Sequence, residues 1–99
     1  MITFSRTANV APGKTTEAIK FAKTIQAYLK EGYGIELEVM LPFGGNPLRV
    51  AWTGRFDSVA KIDEFQQKMM GDQQYWNIIS QYKDCLLPGS VNDSIWRTV

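Results

Sequence analysis

Apolar and polar residues alternate along the first ten positions of the chain. Ile2, Phe4, Ala8 and Val10 fall on one side of an extended segment, and mostly polar residues fall on the other side. Alternation of this kind predicts a strand with one buried face. Arg6 interrupts the apolar side, so a charge stands where the pattern predicts a core position.

Further along the chain the apolar period alternates between two and three to four, which indicates strands and amphipathic helices. The pattern predicts strands over 2–10, 35–41, 48–56 and 91–98, and helices over 15–31, from a cap at Asp57 or Ser58 to about Met70, and from Asp72 to Tyr82. This order predicts one ferredoxin-like α+β domain over residues 1–99, with an extra short helix. Its antiparallel four-stranded sheet carries the helices on one face, and right-handed crossovers place the first and third strands in the centre.

The second and third strands form the clearest hairpin. If Pro42 and Pro47 lie opposite each other, Leu37 faces Trp52 and the apolar face continues across both strands. A slip of one residue would oppose apolar and polar side chains, so the pattern favours this pairing.

The other face of this hairpin carries Glu36, Glu38, Arg49 and Arg55. Two carboxylates on one strand face can divide acid and base roles when their pKa values differ. We favour a structural lattice instead, in which the arginines of the adjacent strand compensate both acids.

The open sheet face mixes these charges with apolar residues. Met40, Ala51 and either Trp96 or Ile95 lie on it or near it. Contact between two copies under twofold symmetry would let each group meet a complementary one. The sequence therefore predicts a homodimer through this face, with an interface of roughly 1,600 Å² or more in total.

The composition removes several classes of function. The chain has no histidine and a net charge of +1, so the usual proton-transfer side chain is absent and no field attracts nucleic acid or membrane. Cys85 is the single cysteine and is expected to be a part-buried structural thiol in a reducing, cytoplasmic setting. No Cys/His cluster or Asp-rich loop is present for a metal. We therefore expect no metal, no nucleic-acid partner and no membrane partner.

Three segments together resemble a known family. They are Val-x-Pro-Gly-Lys at Val10 to Lys14, Arg-Phe-Asp-Ser at Arg55 to Ser58, and the helix opening at Asp72 to Trp76. In this order and spacing they resemble the dimeric α/β-barrel superfamily, in its antibiotic-biosynthesis-monooxygenase-like and NIPSNAP-like branches. The resemblance covers the whole chain. It implies a homodimer whose two sheets close into a barrel, and a ligand cleft between helices and sheet.

Arg6 is the sharpest candidate for a binding residue. A charge on the helix-facing side of a strand needs an anion, a carboxylate partner or an open cleft. In the resembled monooxygenases, a polar residue at this distance before the Pro-Gly turn lines the pocket. The alternatives are an internal ion pair with an acid such as Asp63 or Glu64, or a side chain that extends outward.

Four aromatic residues are candidates for the wall of the same cleft: Trp52, Tyr75, Trp76 and Tyr82. Such walls suit a flat apolar ligand. The alternative for these residues is core packing or a dimer contact.

Two functions follow as hypotheses. The first is a dimeric domain that binds a small apolar or aromatic molecule in the cleft and needs no cofactor. The alternative is a cofactor-independent monooxygenase in which Arg6 holds an oxyanion and the aromatic residues clamp the substrate ring. The resemblance also suggests an Asn–Trp pair at Trp76 and Asn77, but haem degradation through a histidine ligand is disfavoured because the chain has none.

Overall fold

A four-stranded antiparallel sheet with three helices packed on one face forms the architecture. A computed structural model describes residues 1–99. The elements are β1 (Ile2–Asn9), α1 (Thr15–Tyr33), β2 (Leu37–Met40), β3 (Arg49–Phe56), α2 (Val59–Met70), α3 (Gln73–Gln81) and β4 (Asn92–Arg97). The sheet order is β2-β3-β1-β4. The predicted ferredoxin-like α+β fold is confirmed, with β1 and β3 at the centre.

The core lies between α1 and the central strands. Apart from Arg6, the helix-facing positions of β1 and β3 are almost fully buried, including Phe4, Ala8, Val50 and Trp52. The buried stripe of α1, at spacings of three and four, packs against them. This matches the two periods in the sequence, because period two selects one face of a strand and period three to four one face of a helix.

The hairpin pairing differs from the prediction by two residues. Leu37 lies opposite Gly54, and Val39 lies opposite Trp52. A β-carbon at Gly54 would stand 2.5 Å from Cδ2 of Leu37, so the leucine fills the space that the glycine leaves free. A shift of two residues keeps every side chain on its predicted face, so the apolar pattern is equally satisfied.

The connection between β2 and β3 is held by Arg49. Its guanidinium donates from Nε to the backbone oxygen of Asn46 at 3.0 Å and from Nη2 to that of Gly44 at 3.2 Å. The side chain of Asn46 accepts a hydrogen bond from the backbone N–H of Leu48 at 3.0 Å. These bonds order the loop between the two strands. The loop is wider than the predicted turn, in which Pro42 and Pro47 lie directly opposite each other.

The predicted lattice of ion pairs on the open face, between Glu36 and Glu38 and the arginines of β3, does not form within one chain. Neither Glu36 nor Glu38 takes part in any of the four ion pairs of the structure. Arg55 donates to the hydroxyl of Thr98 at 3.4 Å instead. On the same face the hydroxyl of Thr53 is buried and has no hydrogen-bond partner. The open face thus leaves several polar groups uncompensated.

Trp96, rather than Ile95, lies on the open face. It stands opposite Thr3 in the pairing of β1 with β4, whereas Ile95 stands opposite the buried Phe4. Trp96 is 68% exposed and Met40, on the same face, is 41% exposed. None of the three helices combines the length and the apolar character that a bilayer crossing requires.

Asp72 fixes the position of α3 against α1. One carboxylate oxygen caps α3 by accepting from the backbone N–H groups of Gln74 and Tyr75, at 3.0 and 3.2 Å. The other oxygen accepts from the hydroxyls of Tyr28 and Tyr33, both on α1. These bonds, led by that from Tyr28, hold the pKa of Asp72 below its usual range. Hydrogen bonding to Asp72 raises the pKa of Tyr33 to about 12.

We expect Asp72→Asn to remove a pH-dependent part of the stability. A carboxylate whose pKa is lower folded than unfolded stabilises the fold above its unfolded pKa, about 3.9, and ceases to do so as the pH falls through the folded pKa. The stability difference between the unmodified chain and Asp72→Asn, measured by urea unfolding, should therefore be largest at neutral pH and shrink as the pH drops below about 4.

Asp84→Asn is the matched control, because Asp84 is exposed and accepts no side-chain hydrogen bond. It should show a much smaller difference at neutral pH. A constant difference between the unmodified chain and Asp72→Asn from pH 7 to pH 2 would mean that the carboxylate charge does not hold α3.

Candidate functional site

An open cleft lies between the sheet and helices α2 and α3. Its volume is about 420 Å³, and most of the side chains that line it are apolar. Phe4, Arg6 and Trp52 line it from the sheet, and Tyr75 and Trp76 line it from α3. The predicted position of a cleft between helices and sheet agrees with this geometry.

The cleft is open because no helix covers the β4 end of the sheet. On the helix-facing side of β4, Ile95 is 50% exposed and Asp93 is also exposed. Met70, at the end of α2, and Val91, just before β4, both line the cleft and are 72% and 53% exposed. These two side chains therefore stand at the mouth of the cleft.

Arg6 lies in this cleft and forms an ion pair with Asp93. Its Nε donates to Oδ1 at 2.7 Å and its Nη2 donates to Oδ2 at 2.9 Å. The two residues are direct cross-strand partners in β1 and β4. Of the alternatives for Arg6, the ion pair with an acid of the same chain is therefore the one observed. The acid is neither of the two suggested, because Asp63 and Glu64 lie on α2 and pair with Gln67 and with lysines of the same helix.

The ion pair is accessible from the cleft. About a third of each side chain is exposed, 35% for Arg6 and 36% for Asp93. They are the two charged side chains among the residues that line the cleft. Hydrogen bonding to Asp93 raises the pKa of Arg6, so the guanidinium stays charged. The cleft therefore offers polar groups of both signs within an apolar wall.

Trp52 is both a core residue and part of the cleft. It is 6% exposed, and its ring meets that of Phe21 edge-on with centroids 5.8 Å apart. Its indole Nε1 donates to the backbone oxygen of Ala22 in α1 at 3.2 Å. The residue thus attaches α1 to the sheet and presents part of its surface to the cleft.

Tyr75 and Trp76 form an aromatic pair on the helix side of the cleft. Their rings lie edge-to-face with centroids 5.3 Å apart, and Nε1 of Trp76 donates to the backbone oxygen of Met70 at 3.1 Å. Burial raises the pKa of Tyr75, against an opposing effect from the nearby Arg6. Trp76 is 44% exposed and stands where a ligand could contact its ring.

Tyr82 is not among the residues that line the cleft. It packs on Phe21, with ring centroids 5.4 Å apart, so its surroundings are those of the core. Asn77 also lies outside the cleft, where its side chain accepts from Gln73 at 3.0 Å. Cys85 is buried, and burial raises the pKa of its thiol. No three or more His, Cys, Asp or Glu side chains come together as a metal site would need.

Asp93 is the cleft residue that the sequence reasoning missed. Its signal was present, because it is the one acidic residue in the predicted last strand. An arginine on a buried strand position calls for an acid on a neighbouring strand. However, β1 and β4 are the first and last strands and no short turn joins them to fix their register. The pattern alone therefore did not place Arg6 opposite Asp93.

Comparison with solved structures gives many matches over the full chain. A NIPSNAP family protein of unknown function from Agrobacterium tumefaciens is 18% identical with a TM-score of 0.80, and covers 99% of this chain and 87% of its own. An uncharacterised NIPSNAP domain protein from Burkholderia xenovorans is 17% identical with a TM-score of 0.77, covering 100% of this chain and 95% of its own.

A structure from Deinococcus radiodurans that carries the name of an antibiotic biosynthesis monooxygenase is 10% identical, with a TM-score of 0.72. The match covers 100% of this chain and 93% of that one. No family model and no curated protein matches the sequence. At these identities the likeness establishes the fold. The predicted resemblance to NIPSNAP-like and antibiotic-biosynthesis-monooxygenase-like proteins is confirmed at that level.

Proposed function

We propose that this chain binds a small apolar or aromatic molecule in the cleft, and that it does so as a homodimer. The observation that carries the proposal is an open, largely apolar cavity of about 420 Å³ with one polar pair on its sheet side. Ligand sites typically combine an apolar wall with a few convergent polar groups, and their volumes run from about 300 to 1,000 Å³. Arg6, Trp52, Tyr75 and Trp76 would contact the ligand.

Binding is favoured over the monooxygenase alternative by the state of Arg6. Stabilisation of an oxyanion needs donors whose charge is free to act on the reacting oxygen. Here the guanidinium is already held by the carboxylate of Asp93 through two hydrogen bonds. A neutral pair stabilises a developing negative charge less than an unpaired arginine does, so the oxygenase role has weaker support.

The homodimer part of the proposal rests on the open sheet face. Trp96 and Met40 expose apolar surface there, and Glu36 and Glu38 have no ion-pair partner within the chain. A second copy related by a twofold axis could cover the apolar side chains and supply partners for these polar groups.

The binding proposal predicts that closing the mouth of the cleft abolishes ligand uptake. N-phenyl-1-naphthylamine, a neutral aromatic probe whose emission rises in apolar surroundings, should bind the unmodified chain. Val91→Trp places a large ring at the mouth and should weaken binding by at least about tenfold, which corresponds to ~1.4 kcal/mol.

Val59→Trp is the matched control. Val59 is 54% exposed, close to the 53% of Val91, but lies on α2 outside the cleft. A titration followed by probe emission should show unchanged affinity for this variant. Equal affinities for the two tryptophan variants would place the probe elsewhere and contradict the proposal.

A further inference from the structure

We infer that Asp93 sets the charge selectivity of the cleft, so that the cleft takes uncharged ligands and excludes organic anions. The inference rests on the proposed function, because it concerns the class of ligand that the same cleft binds. It assigns a role to a residue that neutralises Arg6 from the adjacent strand.

The geometry of the pair makes this neutralisation a fixed property of the sheet. Arg6 and Asp93 are directly opposed in the β1–β4 pairing, and two parallel hydrogen bonds of 2.7 and 2.9 Å join them. A two-point contact between guanidinium and carboxylate is stronger and more directional than a single bond. The backbone pairing holds both ends, so a ligand meets the pair rather than a lone arginine.

The pair keeps hydrogen-bonding capacity toward the cleft. A guanidinium has five N–H groups, and a carboxylate oxygen can accept more than one hydrogen bond. Asp93 engages Nε and Nη2 of Arg6, each oxygen of Asp93 accepts one of these two bonds, and the hydroxyl of Tyr75 lies beside the same guanidinium. The pair thus presents a donor beside an acceptor. A neutral ligand group with an acceptor beside a donor would match the pair; a carboxamide, a lactam and a hydroxy-carbonyl group are examples.

An organic anion has little to gain in this cleft. Its negative charge would meet the carboxylate of Asp93 as well as the guanidinium of Arg6, so the net attraction is small. The remaining wall is mainly apolar and carries no further cation. Moving a charge from water into such surroundings without a dedicated partner is costly. Selection against anions follows from this imbalance.

Two probes with the same aromatic framework test the inference. N-phenyl-1-naphthylamine is neutral, and 8-anilinonaphthalene-1-sulfonate adds one sulfonate. The unmodified chain should bind the neutral probe at least about tenfold more tightly. Asp93→Asn leaves the charge of Arg6 unbalanced and should shift the ratio of the two dissociation constants by about tenfold or more toward the sulfonate. For each probe, the part of the binding that is lost when Val91→Trp closes the mouth of the cleft is taken as binding in the cleft.

Two further variants separate charge selection from other effects. Asp84→Asn makes the same change in net charge outside the cleft and should leave the ratio unchanged. Arg6→Gln with Asp93→Asn restores a neutral pair and should restore the preference for the neutral probe. If Asp93→Asn alone folds poorly because it leaves Arg6 without its partner, this double variant, which removes both charges, still tests the inference.

The outcomes distinguish the two levels of the argument. If the unmodified chain binds neither probe in the cleft, the proposed function fails. If it binds the neutral probe there but the ratio is the same in Asp93→Asn and Asp84→Asn, the inference about Asp93 is overturned and the binding site stands. Equal affinity of the unmodified chain for both probes would overturn the inference in the same way.

Discussion

Replacement of Trp52 by alanine is expected to lower the free energy of unfolding by about 3–5 kcal/mol. The side chain is 6% exposed, packs edge-on against Phe21 and donates a hydrogen bond to Ala22 of α1. Its removal leaves a cavity between the sheet and the helix that the surrounding residues can fill only in part. Urea unfolding followed by circular dichroism measures the change.

Trp76 and Trp96 provide matched controls, because they are 44% and 68% exposed. Trp76→Ala should cost less than about 1 kcal/mol of stability, as is usual for exposed positions, yet weaken binding of the neutral probe. Trp96→Ala should instead weaken the dimer. A loss at Trp52 no larger than at Trp76 would mean that Trp52 is not the contact between α1 and the sheet.

Charge reversal on the open face is expected to separate the dimer. Glu36→Lys with Glu38→Lys leaves this face with lysines beside Arg49 and Arg55, and two such faces would bring like charges together. Like-charge contacts across an interface cost several kcal/mol. Light scattering coupled to size exclusion should give a mass near twice 11.2 kDa for the unmodified chain and near 11.2 kDa for the double variant.

Two controls make the charge experiment specific. Glu31→Lys with Asp84→Lys makes the same change in net charge on exposed residues away from the sheet face, and should leave the dimer intact. Adding Arg55→Glu to the double variant places an acid among the new lysines, keeps the loop contacts of Arg49 and should restore part of the dimerisation. A monomeric unmodified chain, or a dimer that survives the double variant, would show that this face is not the interface.

The fold followed from the sequence because its two periods are clear and agree with the turn and cap residues. Ser58, one of the two caps predicted for α2, and Asp72, predicted at the start of α3, are the N-caps of these helices, and each has a side-chain oxygen that accepts from the first turn. Val59 belongs to the apolar stripe of α2 by its spacing from Ile62, but it is 54% exposed. It is the first residue of α2 and lies at the end of the apolar stripe. At the end of a helix, the apolar pattern separates buried from exposed positions least well.

The hairpin register marks a physical limit of pattern reasoning. Shifts of two residues keep every side chain on its face, so alternation cannot tell them apart. The observed register places Leu37 against Gly54 and is accompanied by the bonds from Arg49 to the loop. Neither contact leaves a periodic signal in the sequence.

The candidate site was predicted in part for a related reason. Arg6 stood out because one charge interrupted an apolar strand face, and Trp52, Tyr75 and Trp76 stood out as aromatic residues on predicted elements. Asp93 did not, because its role depends on the register between strands far apart in the chain. Contacts between strands that are far apart in the chain are the ones that composition and periodicity predict least well.

The most direct test of ligand binding in the cleft is a crystal structure of the unmodified chain with N-phenyl-1-naphthylamine. We predict that the probe's rings lie between the sheet and the Tyr75–Trp76 pair, with the amine N–H within hydrogen-bond distance of the carboxylate of Asp93. Probe density on the open sheet face around Trp96, with none between Arg6 and Trp76, would contradict it.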